Sequence, residues 1–420
     1  KKQIDDLSSV LGGMVPDWLK RLPKSVPFLF SFEERLRLFR VLGFTGSRRV
    51  YFNSNKGKRY KVRLLKQKAL VPRSDLLRTG FKILKNSALL KYGVLEFDFE
   101  NEEGTGLGPT LEFYSLISKE IRKLSIWRDN GQVGLFPAPL QSSEDLKYFG
   151  LIGRLVAKAL YDEKLVDLPL SPVFWKLVLK KDLTINDLVS VDPDLGKHIL
   201  ELSHLVEKKD SQATFKGASV ESLELYFELP GYEIELKPFG KQTKLTIHNL
   251  QEYIQLVTEF TLMQRSQAEA FRKGFEKIIP AWTLEVFEEE ELEHLICGYN
   301  DESWDLWTLR HTVHSAHGYT KNSITVQNLL KFMSDLQKEE RRSFLEFVTG
   351  CPRLPLGGFK GLHPPLTVVK KTMPGNQDEY LPSVMTCQNY LKLPDYSSYE
   401  VLARQLLYAM KEGSKAFHLS

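Results

Sequence analysis

Apolar residues recur at helical spacing from about Leu7 to Phe44, broken by Pro16, Pro23 and Pro27, which predicts short helices at the start of the chain. Val94, Leu95, Phe97 and Phe99 alternate as a strand that runs into Glu102, Glu103 and a glycine loop, Gly104-Thr105-Gly106-Leu107-Gly108-Pro109. Helical patterns follow at 110–123 and 144–163, and Asp167-Leu168-Pro169 marks a stop before another helix through Phe174 and Leu179. The stretch 183–250 is mixed, with strand-like runs at Leu223–Phe227 and Leu245–Ile247, and reads as a smaller α+β insertion. A long helical pattern over 250–275 leads to Pro280, and further helices run to Phe347. Then two prolines and three glycines fall within the nine residues Gly350–Gly358, which predicts a boundary or hinge. Beyond it, Leu366–Val369 reads as a strand, Ser397–Glu400 as a capping box, and Val401, Leu402, Leu406, Ala409 and Met410 as the apolar face of a helix that Gly413 ends.

Composition narrows the class. A chain of 420 residues with 42% hydrophobic and 26% charged residues is an ordinary globular protein of one large lobed domain or two to three smaller ones. No apolar run approaches the roughly 20 residues that cross a bilayer, so no membrane partner is expected. The chain starts at Lys1 without a secretory leader and is expected to be a piece of a longer intracellular protein, cytoplasmic or nuclear. The net charge of +5 is mild but uneven, with basic residues crowded between Arg48 and Lys68. That crowding reads as a solvated surface. No nucleic-acid fold signature accompanies it, and no specific nucleic acid is expected.

Chemistry has few places to sit. The glycine loop lies between a strand and a helix, but it lacks the dinucleotide fingerprint and the P-loop Lys-Ser/Thr, and Glu102 and Glu103 would repel phosphate; a structural turn is expected. His311, His314 and His317, three apart, could share a helical face, yet no carboxylate completes a zincin pattern, and no metal or cofactor is expected. Three cysteines at 297, 351 and 387 are too few and too scattered for a disulfide framework. Cys297 ends an amphipathic helix and reads as a buried small hydrophobe. Cys351 lies in the expected hinge with nothing nearby built to activate it. Cys387 sits in a loop-like stretch, Leu381-Pro382-Ser383-Val384-Met385-Thr386-Cys387-Gln388-Asn389, with polar neighbours suited to an exposed nucleophilic thiol. Spacing alone leaves a structural cysteine and a catalytic one equally open.

The C-terminal stretch resembles the HECT family of ubiquitin ligases. Leu381-Pro382, Thr386-Cys387 and Leu393-Pro394 match its nucleophile motif, and Phe347–Gly350, Arg353–Pro355 and Gly357–Phe359 match the segment the resemblance treats as its hinge. Gly104–Pro109 with Phe113, Leu168-Pro169, Ile296–Gly298 and Gly318-Tyr319 match as well, so the resemblance covers about 85–420. Two departures stand out: Met385 occupies a place where many members carry histidine, and Gln388 one where many carry phenylalanine. Val384–Cys387, Tyr390–Ser398 and Phe417-His418-Leu419-Ser420 resemble the ubiquitin-fusion-degradation branch, which includes the thyroid-receptor-interacting ligase.

The resemblance implies an α+β, bilobal HECT domain: a helical extension at 1–84, an N-lobe at 85–349 with a conjugating-enzyme-binding subdomain at about 183–280, a hinge at Gly350, Cys351, Pro352 and Arg353, and a compact α/β C-lobe at 354–420. It implies that Cys387 carries ubiquitin as a thioester, with Thr386 in support, and that Phe417 near the end of the tail orients transfer to lysine. It implies that Phe287 docks the conjugating enzyme. Its partners would be a ubiquitin-charged E2 conjugating enzyme, ubiquitin and lysine-bearing protein substrates marked for the proteasome pathway. Two other readings remain. A ubiquitin-specific or papain-like hydrolase would need a histidine beside Cys387, for which His363 in a Pro-rich turn is the nearest candidate. A catalytically dead binding module is disfavoured by the retained Thr386-Cys387.

Overall fold

The computed structural model describes residues 17–44, 66–86, 93–128, 134–139, 143–208, 214–215, 217–299 and 304–419, with the backbone alone described for 19–20, 207–208, 214 and 413–419. Helix α1 (Asp17–Ser25) leads to α2 (Phe32–Gly43), whose start is fixed by a reciprocal capping box between Ser31 and Glu34. Strand β1 (Lys66–Val71), helix α3 (Leu76–Lys85) and strand β2 (Val94–Phe99) form a β-α-β unit, with β1 parallel to β2. Helices α4 (Leu107–Arg122), α5 (Ser143–Asp162), α6 (Pro172–Val178), α7 (Ile185–Val191) and α8 (Pro193–Lys208) follow. A two-residue ribbon, β3 (Thr214–Phe215) and β4 (Ala218–Ser219), precedes α9 (Leu250–Leu262), α10 (Arg265–Phe275) and α11 (Glu289–Cys297). All of these elements contribute to, or pack around, one continuous apolar core from Leu38 to Cys297.

Two features fix the centre of this lobe. Helices α5 and α10 approach so closely that a Cβ on Gly153 would lie 2.1 Å from the Phe271 carbonyl oxygen, and one on Gly274 1.9 Å from that of Gly150; only glycine admits this contact. Nearby, the fully buried Lys158 donates to Asp162 at 3.0 Å and to the Gly93 carbonyl at 2.6 Å, while Asp162 accepts from the Leu95 amide at 3.1 Å. The pair ties α5 to β2 with its polar atoms engaged, as a buried charge requires.

A second core runs from Trp304 to Met410. It is built from α12 (Leu306–Thr312), β5 (His314–Ala316), α13 (Ile324–Asp335), α14 (Lys338–Thr349), β6 (Thr367–Lys370), β7 (Ser383–Met385), β8 (Tyr390–Leu393) and α15 (Tyr399–Leu419). The sheet order is β5-β6-β8-β7, with β5, β6 and β8 parallel and β7 antiparallel at the edge. Leu366, Val368, Leu391 and Leu393 from the sheet and Leu402 and Leu406 from α15 are all fully buried in it.

The α+β class holds, but the expected boundaries move. The two cores divide between Cys297 and Trp304, so 306–349 belong to the C-terminal lobe; β5 pairs with β6 and α14 packs on α15. Gly350–Arg353 therefore lies within the C-terminal lobe and not at its edge. The described part of the 1–84 extension is equally integral to the N-terminal lobe, since Leu38, Phe39, Phe44 and Val71 all enter its core. The pattern at 250–275 is two helices, interrupted at Met263-Gln264 where the Gln264 side chain donates to the Phe260 carbonyl at 2.8 Å. The strand-like runs at 223–227 and 245–247 form isolated pairings, Tyr226 with Lys244 among them, and no extended strand. Helix α15 continues through Gly413 to Leu419. His311, His314 and His317 fall on α12, on β5 and in the following turn, so they share no helical face.

Candidate active site

The local sequence builds a turn that presents one thiol. Strands β7 and β8 pair as a hairpin, with Met385 opposite Tyr390, and a single 3₁₀ turn, Thr386–Gln388, joins them. Asn389 closes it in the left-handed region at φ 51, a conformation asparagine tolerates better than most residues. Its amide donates to the Thr386 carbonyl at 3.3 Å, its side-chain Nδ2 donates to the Pro364 carbonyl at 2.6 Å, and its own carbonyl accepts from the Thr367 amide at 2.9 Å. Cys387 and Thr386 are thus held half-buried on a turn clamped to the 364–367 segment, with Asn389 itself buried.

The turn faces the other lobe. A Cβ on Gly108, in the first turn of α4, would lie 3.5 Å from Thr386 Oγ1, so the expected structural glycine loop abuts the thiol's turn. A cleft of about 1260 Å³ opens between the lobes, lined by Leu107, Leu111 and Ser115 of α4, by Thr349–Arg353, by His363 and Pro364, and by Thr386 and Cys387. The other thiols are poorly placed to react. Cys297 is fully buried, which pushes its thiol well above the ordinary range; Cys351, half-buried in the cleft wall, has its thiol pushed up to about 12 by the desolvation of its surroundings.

The lobes meet through charge. Asp167, buried beside Leu168-Pro169, accepts from Arg122 of α4 at 2.8 Å and from Arg342 of α14 at 3.3 Å, and Arg353 Nε stands 3.5 Å away as an ion pair. Arg353 also donates to Glu293 of α11 at 2.8 Å. Glu346 of α14 accepts from Ser115 at 3.1 Å and Lys119 at 2.5 Å. Tyr299 and Leu354 exchange backbone bonds of 2.6 and 3.2 Å. The Gly350–Arg353 segment is consequently a strut against the N-terminal lobe: the Cys351 amide donates to Thr349 Oγ1 at 3.2 Å, and Pro352 and Arg353 are buried. Gly350, Cys351, Pro352 and Arg353 are in this arrangement not a free hinge.

The chain also matches a known family along its sequence. A profile of the HECT-domain (ubiquitin-transferase) family matches residues 115–420. The chain belongs to that family. It is similar to the E3 ubiquitin-protein ligase TRIP12 of Danio rerio, at 38% identity over 100% of this chain and 24% of that protein. It is also similar to ubiquitin fusion degradation protein 4 of Saccharomyces cerevisiae, at 36% identity over 100% of this chain and 31% of that protein, and to the E3 ubiquitin-protein ligase UPL3 of Arabidopsis thaliana, at 36% over 100% and 26%. The chain spans about a quarter to a third of the length of these relatives. HECT-domain ligases are cysteine-thioester ubiquitin transferases that work with ubiquitin-charged conjugating enzymes.

Within this HECT domain the expected site residues fare differently. Cys387 and Thr386 lie together at the cleft. The Phe417 side chain lies outside the described residues, on the last turns of α15. Phe287 is corrected: it is 1% exposed, with its ring 5.4 Å from that of Phe32 and 5.7 Å from that of Phe39, and it serves the core where no partner can touch it. The large exposed apolar side chains among the described residues of the small subdomain lie elsewhere, at Phe239, Tyr226, Leu225, Phe260 and Met263, with Phe239 the most exposed. The Leu245 amide donates to the Leu225 carbonyl at 2.7 Å and the Phe227 amide to that of Gly240 at 3.2 Å, which sets the backbone of 225–227 beside that of 240–245. Phe239 stands 72% exposed at a positive φ of 61, an unusual pairing for a large ring. Asp167 and Asn389 were missed as site residues. Asn389 had a legible signal, a residue tolerant of left-handed backbone two places after the cysteine; Asp167 had none beyond its place before Leu168-Pro169. Among the described residues no helix is long and apolar enough to cross a membrane.

Proposed function

We propose that this chain is the catalytic domain of an E3 ubiquitin ligase in which Cys387 accepts ubiquitin from a conjugating enzyme as a thioester and passes it to a lysine. The observation that carries the reading is the half-buried Cys387 on its clamped turn at the inter-lobe cleft, within the residues the family profile matches. Sulfur exchange from one thioester to another is nearly isoenergetic, so the first step asks chiefly for positioning. Attack by a lysine amine asks in addition for loss of a proton. Thr386 supports the turn that presents the thiol, and Phe417 acts in the second step. The conjugating enzyme docks on the apolar patch of Phe239, Tyr226 and Leu225. The products are polyubiquitin chains on substrates bound for the proteasome, made in the reducing cytoplasm or nucleus, where three unpaired cysteines are at home.

The test is incubation with activating enzyme, conjugating enzyme, ATP and ubiquitin, read on a non-reducing gel. Cys387→Ala abolishes the reducible adduct and all ligation; Cys297→Ala and Cys351→Ala retain the adduct. Cys387→Ser traps ubiquitin as an oxyester that survives thiols and yields to hydroxide. A reducible adduct that persists in folded Cys387→Ala overturns the assignment.

A further inference from the structure

Met385 stands immediately before Thr386-Cys387, and a thioether cannot move a proton, so the turn that carries the nucleophile supplies no base for aminolysis. An imidazole does reach the same cleft from a different segment. His363 is exposed and lines the cleft with Thr386 and Cys387, and its backbone is pinned on both sides. Leu362 and Leu366 flank it in the C-terminal core, the Pro364 carbonyl accepts from Asn389 Nδ2 at 2.6 Å, and the Leu366 carbonyl accepts from the His314 amide at 2.8 Å. The residue that closes the thiol's turn is therefore the one that holds the His363 segment against it.

Several of the remaining ionisable groups of the cleft are engaged with other partners. Arg40 pairs with Glu163 at 2.7 Å, Lys66 with Glu96 at 2.6 Å and Arg353 with Asp167 at 3.5 Å, while the His294 ring stacks on Tyr299 at 4.3 Å. Asp162 is held in the buried pair with Lys158. Glu33 and Arg37 of α2 and Lys164 line the cleft from the N-terminal lobe. Lys360 precedes His363 on its own segment, and His314 lies on the strand bonded at Leu366.

We propose that His363 is the proton acceptor for the attacking lysine when ubiquitin leaves Cys387, an inference that rests on Cys387 being the nucleophile. In that step the lysine nitrogen bonds to the terminal carbonyl carbon of ubiquitin. The His363 imidazole takes the proton that the lysine ammonium must lose before its nitrogen can attack and passes it to water; the carbon–sulfur bond then breaks with its electron pair returning to Cys387 Sγ, which takes up the second proton released from the new amide nitrogen. Imidazole is suited to this because its protonation changes across the working pH range.

The experiment is single-turnover discharge of the pre-formed ubiquitin thioester on the full chain, with the conjugating enzyme quenched, chased with free lysine from about pH 5.5 to 9. In His363→Gln, charging is retained, lysine discharge near neutrality slows about tenfold to a hundredfold, and the rise in rate across the imidazole range flattens. Discharge to hydroxylamine, already neutral and strongly nucleophilic, stays at the wild-type rate, and added imidazole restores lysine discharge in His363→Ala. Wild-type lysine discharge with an unaltered pH profile overturns the proposal. So does a parallel loss of lysine and hydroxylamine discharge, which would make His363 a structural prop. Failure of the nucleophile reading shows separately, as an adduct that survives Cys387→Ala.

Discussion

Asp167→Asn removes one charge, keeps the side chain's shape, and strikes the point where the lobes are tied. Asp167 faces Arg122 from its own lobe and Arg342 and Arg353 from the other, at 2.8, 3.3 and 3.5 Å. Removing one member of a fully buried pair costs about 3–5 kcal/mol. Here the loss is smaller. The Arg122 and Arg342 side chains are 32% and 24% exposed and can turn to water, and Arg353 keeps Glu293 at 2.8 Å. Charged hydrogen bonds discounted for that exposure give about 2–3 kcal/mol in all, or roughly a thirtyfold to hundredfold shift away from the docked arrangement. The assay is urea unfolding followed by tryptophan fluorescence, since Trp175 and Trp304 are buried in the two cores and report on each lobe. The expected outcome is a loss of that size, two separated transitions in place of one, and non-additivity with Arg353→Gln. Stability within about 0.5 kcal/mol of the parent, or strict additivity with Arg353→Gln, would refute the reading of Asp167 as the inter-lobe tie.

Two further predictions separate surface from core. Phe287→Ala lowers stability by about 3–5 kcal/mol, measured by denaturant unfolding, because it empties space between Phe32 and Phe39. Phe239→Ala leaves stability within about 0.5 kcal/mol but slows charging of Cys387 at sub-saturating conjugating enzyme by roughly thirtyfold, the cost of a lost interface aromatic; unchanged charging moves the docking surface elsewhere. Iodoacetamide at pH 8 labels Cys387 first, as read by peptide mass spectrometry. Desolvation pushes the Cys351 thiol up, so labelling of Cys351 ahead of Cys387 would contradict the desolvation argument.

Part of the site was legible along the chain because it is local. A helix start is set by neighbours a few residues apart, so the start of α15 follows from Ser397 to Glu400, whereas the β7–Cys387–β8 hairpin reads only as a loop-like stretch because β6 and the 364–367 segment complete it. Cys387 is singled out by the resemblance of Leu381-Pro382, Thr386-Cys387 and Leu393-Pro394 around that unit to the family motif, since spacing alone leaves a structural cysteine equally open, and the matching family profile covers the same residues.

What the sequence could not decide is what packs against what. The punctuation at Gly350–Gly358 is real, with positive φ at Gly350, Gly357 and Gly358, but a bend in the chain is not a boundary between cores. The division at Cys297–Trp304 is set by which lobe buries 306–349, a matter of long-range contact. Phe287 shows the same limit, since an aromatic after a helix reads alike whether it faces a partner or Phe32 and Phe39, more than 240 residues earlier. The Asp167 tie joins 122, 342 and 353, and the clamp on the thiol's turn joins 389 to 364. Local pattern determined the elements and the chemistry Cys387 could do. Tertiary packing determined which lobe each element served and which charges and imidazole line the cleft that holds the thiol, because burial and Coulomb energy depend on distance in space and not along the chain.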